Sequence, residues 1–255
     1  MKKIKTKGVQ PSKILAKKYE MKIRGLIIKA EALAIKKISE TFSPFVTDAS
    51  LISQVRIMLN ALKKEIDFIF NSQTILADFI GEVNKDVTIK AKASLVNLDF
   101  SIKKDISPKQ LEIIKGWSVQ NATLIKSIGT QFHDKISSMV LQQVTSGNGL
   151  KDTITKIKEI GKVSQARARG IAKKETEKLT AQLNRAKMED VGISQFIWVH
   201  SHASVKPREQ HLAYDGQIFS YDDLPEIEED GTTGLPGEAF GCGCFAKPYI
   251  KGVTE

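Results

Sequence analysis

Apolar residues recur at helical spacing through most of the first 190 positions. Ile14, Leu15, Tyr19, Ile23, Leu26, Ile27, Ala30, Leu33, Ala34 and Ile38 form one stripe, opened by Pro11-Ser12 and stopped near Phe42-Ser43-Pro44. Their spacing is that of an amphipathic helix. A helix of about 28 residues spans roughly 42 Å, so its stripe calls for another protein or a long bundle to cover it. A second stripe, Leu51, Val55, Met58, Leu59, Leu62, Ile66 and Ile69, follows Thr47-Asp48, which reads as its cap. Gln73 to Lys104 reads as one or two helices with a break between Gly81 and Thr88. Ser107-Pro108-Lys109-Gln110 is sharper: Ser at the cap, Pro at the first helical position and Gln three residues after the cap resemble a capping box. It predicts a helix running toward Val144, interrupted near Gly129 and ended by Ser146-Gly147-Asn148-Gly149. A short helix from Leu150 to Glu159 and a longer one from Ser164 to about Glu189 follow. Gly170 is the only breaker in the longer one.

After Gly192 the pattern changes. Phe196-Ile197-Trp198-Val199 reads as a buried strand and Gln217-Ile218-Phe219 as another, fed by the Asp215-Gly216 turn. Pro207 to Ala213 fits a short helix between them. The expected fold is mainly α, a long helical body with a small C-terminal α+β domain. Residues 1–12 read as a basic flexible arm, 13–160 as the body, and 161–255 as a helix plus the small α+β end.

Charge divides the chain in the same way. Val191 to Glu255 carries 4 basic against 10 acidic residues, while the first 190 positions carry 35 against 19, a surplus of +16. Such a body is drawn to polyanions, and double-stranded DNA bound without sequence preference is the expected partner. The apolar stretches are broken by charge, as Leu26 to Ile38 is by Lys29, Glu31, Lys36 and Lys37, so no membrane span is expected. Met1-Lys2-Lys3-Ile4-Lys5 is followed by no uncharged apolar run, so it does not read as a secretory signal. Glu175 and Glu177, among Arg167, Arg169, Lys173, Lys174 and Lys178, read as a solvated ion-pair face.

The candidate chemistry gathers in the acidic end. The two cysteines, Cys242 and Cys244, share one Gly-rich loop, and His200, His202 and His211 lie upstream of it. Thiolate and imidazole suit zinc, and a small domain gains much from a metal staple. The candidate ligands are His211, Cys242 and Cys244 with one of His200 or His202, of which His202 is taken as the fourth. The same residues also fit a compact turn in which both thiols pack as small hydrophobes beside Phe240 and Phe245. A disulfide between cysteines two apart would be strained. No His-x-Glu with Pro-Cys-x-x-Cys, no His-Glu-x-x-His and no phosphate loop is present. A cysteine nucleophile with His211 as base has no third orienting residue. No complete catalytic motif is found, and the chain is expected not to be an enzyme.

The order of motifs goes further. Ile171-Ala172-Lys173-Lys174-Glu175-Thr176 lies on the last body helix. Then come Trp198, Arg208-Glu209-Gln210-His211, Asp215-Gly216, Pro236-Gly237-Glu238 and Cys242-Gly243-Cys244. This string resembles the Mu-F-like phage head morphogenesis family, also called minor head or minor capsid proteins, over about residues 118 to 250. Lys173-Lys174 stands where the family tends to have Arg-Thr, and Gly243 where it has the Arg of a Cys-Arg-Cys loop. The motif residues with structural roles are Trp198, Arg208, His211, Asp215, Gly216, Cys242 and Cys244. Trp198 is expected as a core anchor, Arg208 as holding a carboxylate from the acidic loop Asp222 to Asp230, and His211 as facing the cysteine loop. The resemblance implies a virion component at the capsid interior or portal vertex, made in the host cytoplasm. Its partners would be the portal and other capsid proteins, with possible contact to packaged DNA. Two alternatives stand beside it. One is a zinc-stapled DNA-binding or DNA-processing protein, nuclease-like. The other is a carrier module for a toxin domain, which the end of the chain at Glu255 makes the weaker expectation.

Overall fold

The computed structural model describes residues 3–42, 49–146, 149–202 and 207–254. Among these, five long helices precede a small sheet. They are α1 (Lys13–Thr41), α2 (Ala49–Ile69), α3 (Gln73–Ser94), α4 (Pro108–Thr145) and α5 (Leu150–Glu189). Then come β1 (Gln195–Val199), α6 (Glu209–Ala213), β2 (Ile218–Ser220) and β3 (Phe245–Tyr249). The chain is mainly α with a small α+β end, as its patterning predicts. The expected cap Thr47-Asp48, the stop at Ser43-Pro44 and the Gly147-Asn148 turn lie outside the described residues.

Several expected helix breaks are absent. α3 runs without interruption past Gly81, α4 past Gly129, and α5 past Gly161 and Gly170 in one 40-residue piece. A glycine inside a helix costs about 1 kcal/mol relative to alanine, which packing along a long buried face outweighs. The two serine caps form as expected. Ser12 Oγ accepts from the Leu15 amide at 3.3 Å, and Ser107 Oγ from the Gln110 amide at 3.3 Å. Only half of the capping box is made, because the Gln110 side chain is drawn elsewhere. Its amide donates to Asp190 Oδ2 at 2.7 Å, and its Oε1 accepts from the buried Lys187 ammonium at 2.9 Å.

The contacts sort into two compact units that interleave along the sequence. One comprises Lys17–Leu76 and Gln120–Ala172. It is all helical, and it covers the long α1 stripe: Tyr19, Ile23, Ile27, Ala30, Ala34 and Ile38 are fully buried. Cross-links between its helices are polar. The Tyr19 hydroxyl donates to Asn121 Oδ1 at 3.1 Å, Arg24 grips Gln165 Oε1, and Lys37 pairs with Glu65 at 2.6 Å. Gly129 is buried in α4 against the Phe70 ring, which explains a glycine in mid-helix better than a break does.

The other unit comprises Met1–Ala16, Ala77–Val119 and Lys173–Glu255. Its sheet has the order β2-β1-β3 and is antiparallel throughout. In β1, Phe196 and Trp198 point to the buried face, with Phe219 and Tyr221 packed on the Phe196 ring. β3 pairs Phe245 with Val199 and Tyr249 with Gln195.

The arm expected to be flexible is docked. Ile4 donates to the Val253 carbonyl at 2.9 Å, Thr6 Oγ1 donates to the Pro248 carbonyl at 2.9 Å, and Val9 donates to the Ala246 carbonyl at 3.3 Å. Thr6 and Val9 are buried, and Ser94 Oγ donates to the Lys7 carbonyl, so backbone pairing and side-chain burial together hold the segment. The expected solvated face on α5 is also corrected. Glu175, Thr176 and Glu177 are buried, as are Thr180, Asn184 and Lys187 along the same helix. Charge pattern alone cannot distinguish an exposed face from one folded under a following domain.

Candidate metal centre

The site lies where α6, the end of β1 and the loop before β3 converge. The β1–β2 connection is built first. Gly216, at φ +80°, donates its amide to the Trp198 carbonyl at 2.9 Å and takes a left-handed conformation that suits glycine. Asp215 Oδ1 beside it accepts the His200 amide at 2.8 Å, which fixes where the chain leaves β1. Trp198 is fully buried, with Tyr214, Phe219 and His211 all edge-on to its ring. The His211 ring centre is 5.1 Å from that of Trp198, so the tryptophan sets the imidazole in place.

Arg208, just before α6, holds Glu228 at 2.8 Å and the Phe240 carbonyl at 3.2 Å, and the other Glu228 oxygen accepts the Phe240 amide. This ties the acidic loop to the segment entering the cysteine turn. Glu228 lies within the stretch from Asp222 to Asp230 where a partner for Arg208 was expected.

The turn itself brings His211, Cys242 and Cys244 together. Their ligand atoms lie within 4.8 Å of one another, and the residues are 2%, 5% and 2% exposed. Cys242 Sγ is 3.3 Å from His211 Nδ1, and Cys244 Sγ is 4.0 Å from it. The other ring nitrogen, Nε2, is 3.1 Å from the Ile227 carbonyl. A carbonyl can only accept, so Nε2 carries a proton and donates to Ile227, which leaves Nδ1 as the ring nitrogen that faces both sulfurs. The Cys244 amide donates to Cys242 Sγ at 3.4 Å.

Hydrogen bonding from the Cys244 thiol, aided by His211 and the Cys244 amide, outweighs burial and holds the Cys242 thiol well below the ordinary thiol range. The Cys244 thiol is pushed up, because it is the donor to Cys242 and is itself buried. The hydrogen bond to Cys242 raises His211. The group is thus two cysteine sulfurs and an imidazole nitrogen in a buried cluster, a donor set that suits a soft cation.

The remaining histidines lie apart from that trio. His200 is buried and lines the same cleft, but its Nδ1 accepts the His202 amide at 3.1 Å. His202 turns outward at φ +51°, its side chain 71% exposed and its Nε2 3.8 Å from Asp215 Oδ2. The structure therefore does not place His202 with His211, Cys242 and Cys244.

Sequence reasoning placed Glu177 on a solvated face and gave it no part in the site. It is buried, its Oε2 has no hydrogen-bond partner, and burial pushes its pKa up to about 7. Gly237, at φ +99°, separates the backbone carbonyls of Cys244 and Glu177, so this stretch of α5 backs directly onto the cysteine turn. The signal available in the sequence was the burial-compatible run Ala172, Thr176, Leu179, Thr180 and Leu183, which continues a helical stripe through the charges.

Comparison with known proteins gives this geometry a context. Residues 134–247 match the family model described as Phage Mu protein F like protein. Over those residues the chain is similar to that family. The matched stretch takes in α4 from Asp134 onward, the whole of α5, β1, α6 and β2, and the cysteine turn. An uncharacterized protein of Haemophilus influenzae is 36% identical over 153 residues, which make up 60% of this chain and 33% of that protein. The chain thus spans about a third of the length of that relative. No solved structure matches the chain significantly. Among the described residues, no helix is long and apolar enough to cross a membrane.

Proposed function

We propose that this protein is a minor head protein of a tailed phage or phage-like particle, made in the host cytoplasm and incorporated at the portal vertex or capsid interior. The observation that carries the proposal is the similarity of residues 134–247 to the Mu F-like family. In this reading the domain is a scaffold: Trp198, Arg208, Asp215 and Gly216 each serve its packing or turns, and the role needs no catalysis. The portal protein and other capsid proteins are its partners. The +16 surplus on residues 1–190 supports an additional contact with packaged double-stranded DNA through phosphates. Purified particles, dissected into portal-bearing and shell fractions, test the assignment. The protein is expected to copurify with the portal fraction, and its absence from particles refutes the proposal. DNA binding is tested by fluorescence anisotropy on duplexes of unrelated sequence. Affinity is expected to be equal across sequences and to fall steeply with salt, whereas binding that salt does not affect removes the DNA contact.

A second reading, a zinc-stapled DNA-processing protein, is favoured by the buried cysteine–histidine trio alone. Nuclease assays of the purified protein with added divalent metal separate the two, since the structural role expects no cleavage.

A further inference from the structure

We infer that His211, Cys242 and Cys244 form a zinc site of three protein ligands whose fourth position opens to the cleft lined by His200 and Ser201. This assignment is independent of the role in the head.

The geometry comes first. With zinc–sulfur and zinc–nitrogen bonds of ordinary length at a tetrahedral angle, a sulfur and a nitrogen ligand stand about 3.5 Å apart. The two sulfur-to-Nδ1 separations, 3.3 and 4.0 Å, bracket that value. A cation can therefore be seated with small adjustments of side chains and none of the fold.

The surroundings match those of a ligand set. Metal-bound histidines usually donate their other ring N–H to a carbonyl or carboxylate, which fixes the tautomer. His211 does this to the Ile227 carbonyl at 3.1 Å. The Cys244 amide points at Cys242 Sγ, a donor suited to a metal-bound thiolate. Trp198 closes one side of the imidazole.

The chain topology gives the site a purpose. His211 lies on α6, while the cysteines precede β3, 31 and 33 residues later. The intervening segment is loop apart from β2 and an isolated bridge between Glu226 and Thr233. A metal there closes that loop at both ends, which is where a small domain short of core gains most.

The fourth ligand is water rather than a histidine of the chain. His200 Nδ1 is committed to the His202 amide, which leaves its proton on Nε2, and His202 is directed at Asp215. Three ligands and an open position follow from these two contacts.

The test uses the full-length chain, reduced, stripped with a chelator and titrated with cobalt(II). One cobalt per chain is expected, with thiolate-to-metal charge transfer and the intense visible bands of tetrahedral cobalt, all displaced by zinc(II). Chelation of the zinc-loaded protein is expected to lower its thermal midpoint, and added zinc to restore it. His211→Ala and Cys244→Ser are each expected to weaken cobalt binding by more than about 100-fold, beyond the loss caused by removing a supporting partner. Far-UV circular dichroism checks that these variants keep their helices. His200→Ala and His202→Ala should retain the stoichiometry and the charge-transfer band. Loss of binding in either histidine variant overturns the three-ligand assignment. Wild-type protein that binds no cobalt while both thiols react freely with a thiol reagent overturns the site altogether, and this result does not depend on any variant folding.

Discussion

Replacing Gly129 by alanine sets two known effects against each other. Alanine inside a helix is favoured over glycine by about 0.5–1 kcal/mol. At this position the new Cβ would stand 2.7 and 2.8 Å from two atoms of the Phe70 ring and 3.3 Å from its Cβ. Phe70 is only 2% exposed, so the ring cannot move aside into solvent. Forcing an extra methyl into a closed core costs about 1–3 kcal/mol, so the clash outweighs the helical gain and the net loss is up to about 2.5 kcal/mol. Gly170, on α5 in the same unit, supplies the control, because a Cβ there meets no atom within 4 Å. Gly170→Ala should therefore gain about 0.5–1 kcal/mol. In a chain of this size 1 kcal/mol moves the thermal midpoint by about 2–4 °C. Melts followed by far-UV circular dichroism should move in opposite directions for the two variants. Adding Phe70→Leu to Gly129→Ala should cost less than the sum of the single changes, because the smaller side chain makes room. If Gly129→Ala raises the midpoint as Gly170→Ala does, the ring does not occupy the space assigned to it.

Trp198→Ala removes a fully buried indole and its contacts with His211, Tyr214 and Phe219, at a cost of about 3–5 kcal/mol. Near-UV circular dichroism should show loss of fixed aromatic packing while the helical far-UV signal largely persists; a change in unfolding free energy below about 1 kcal/mol contradicts the anchoring role. Lys187 gives a pH signature. Burial pushes its pKa below the ordinary lysine value of 10.5, so between the lowered value and 10.5 the unfolded chain binds more protons than the folded one. Stability from this group therefore rises with pH across that window. Lys187→Met, which keeps the stem and removes the charge, should compare best with the wild type at neutral pH and lose ground as pH climbs toward 10.5. Urea midpoints whose difference is constant over that range would count against a buried ammonium.

The parts of the fold legible in the sequence are those set by local chemistry. Ser107-Pro108 starts α4 because a hydroxyl and a missing amide suit a helix start wherever it lies. Asp215-Gly216 turns the chain between β1 and β2 because glycine reaches φ +80° freely. Tertiary packing hid the rest. β3 was missed because its buried face carries Ala246 and Pro248, one small and one unable to donate to a ladder. The docked N-terminal segment has no periodicity, since its Thr6 and Val9 are buried in the company of a strand far away in sequence. Glu177 and Lys187 were hidden by their charge, which ordinarily marks solvent. At the site, residue type and spacing pointed to both cysteines and His211. The sequence offered His200 and His202 as the fourth ligand with little to rank them, and the backbone path after β1 is what turns His202 outward.

Gly243, between the two cysteines, has a bearing on how such domains diverge. A Cβ there would lie 2.6 Å from Ser201 Oγ, so the space a side chain would need is already taken by the segment leaving β1. The loop resembles a Cys-Arg-Cys loop in which this glycine stands at the arginine position. Positions 201 and 243 are thus linked by simple exclusion: a chain that acquires a side chain at 243 must move or shorten what stands at 201. Exchange between glycine and arginine in this loop then calls for an adjustment at position 201 as well, at the least a rotation of the Ser201 hydroxyl. Domains carrying each form are expected to differ in the path from β1 to α6 as well as in the loop itself.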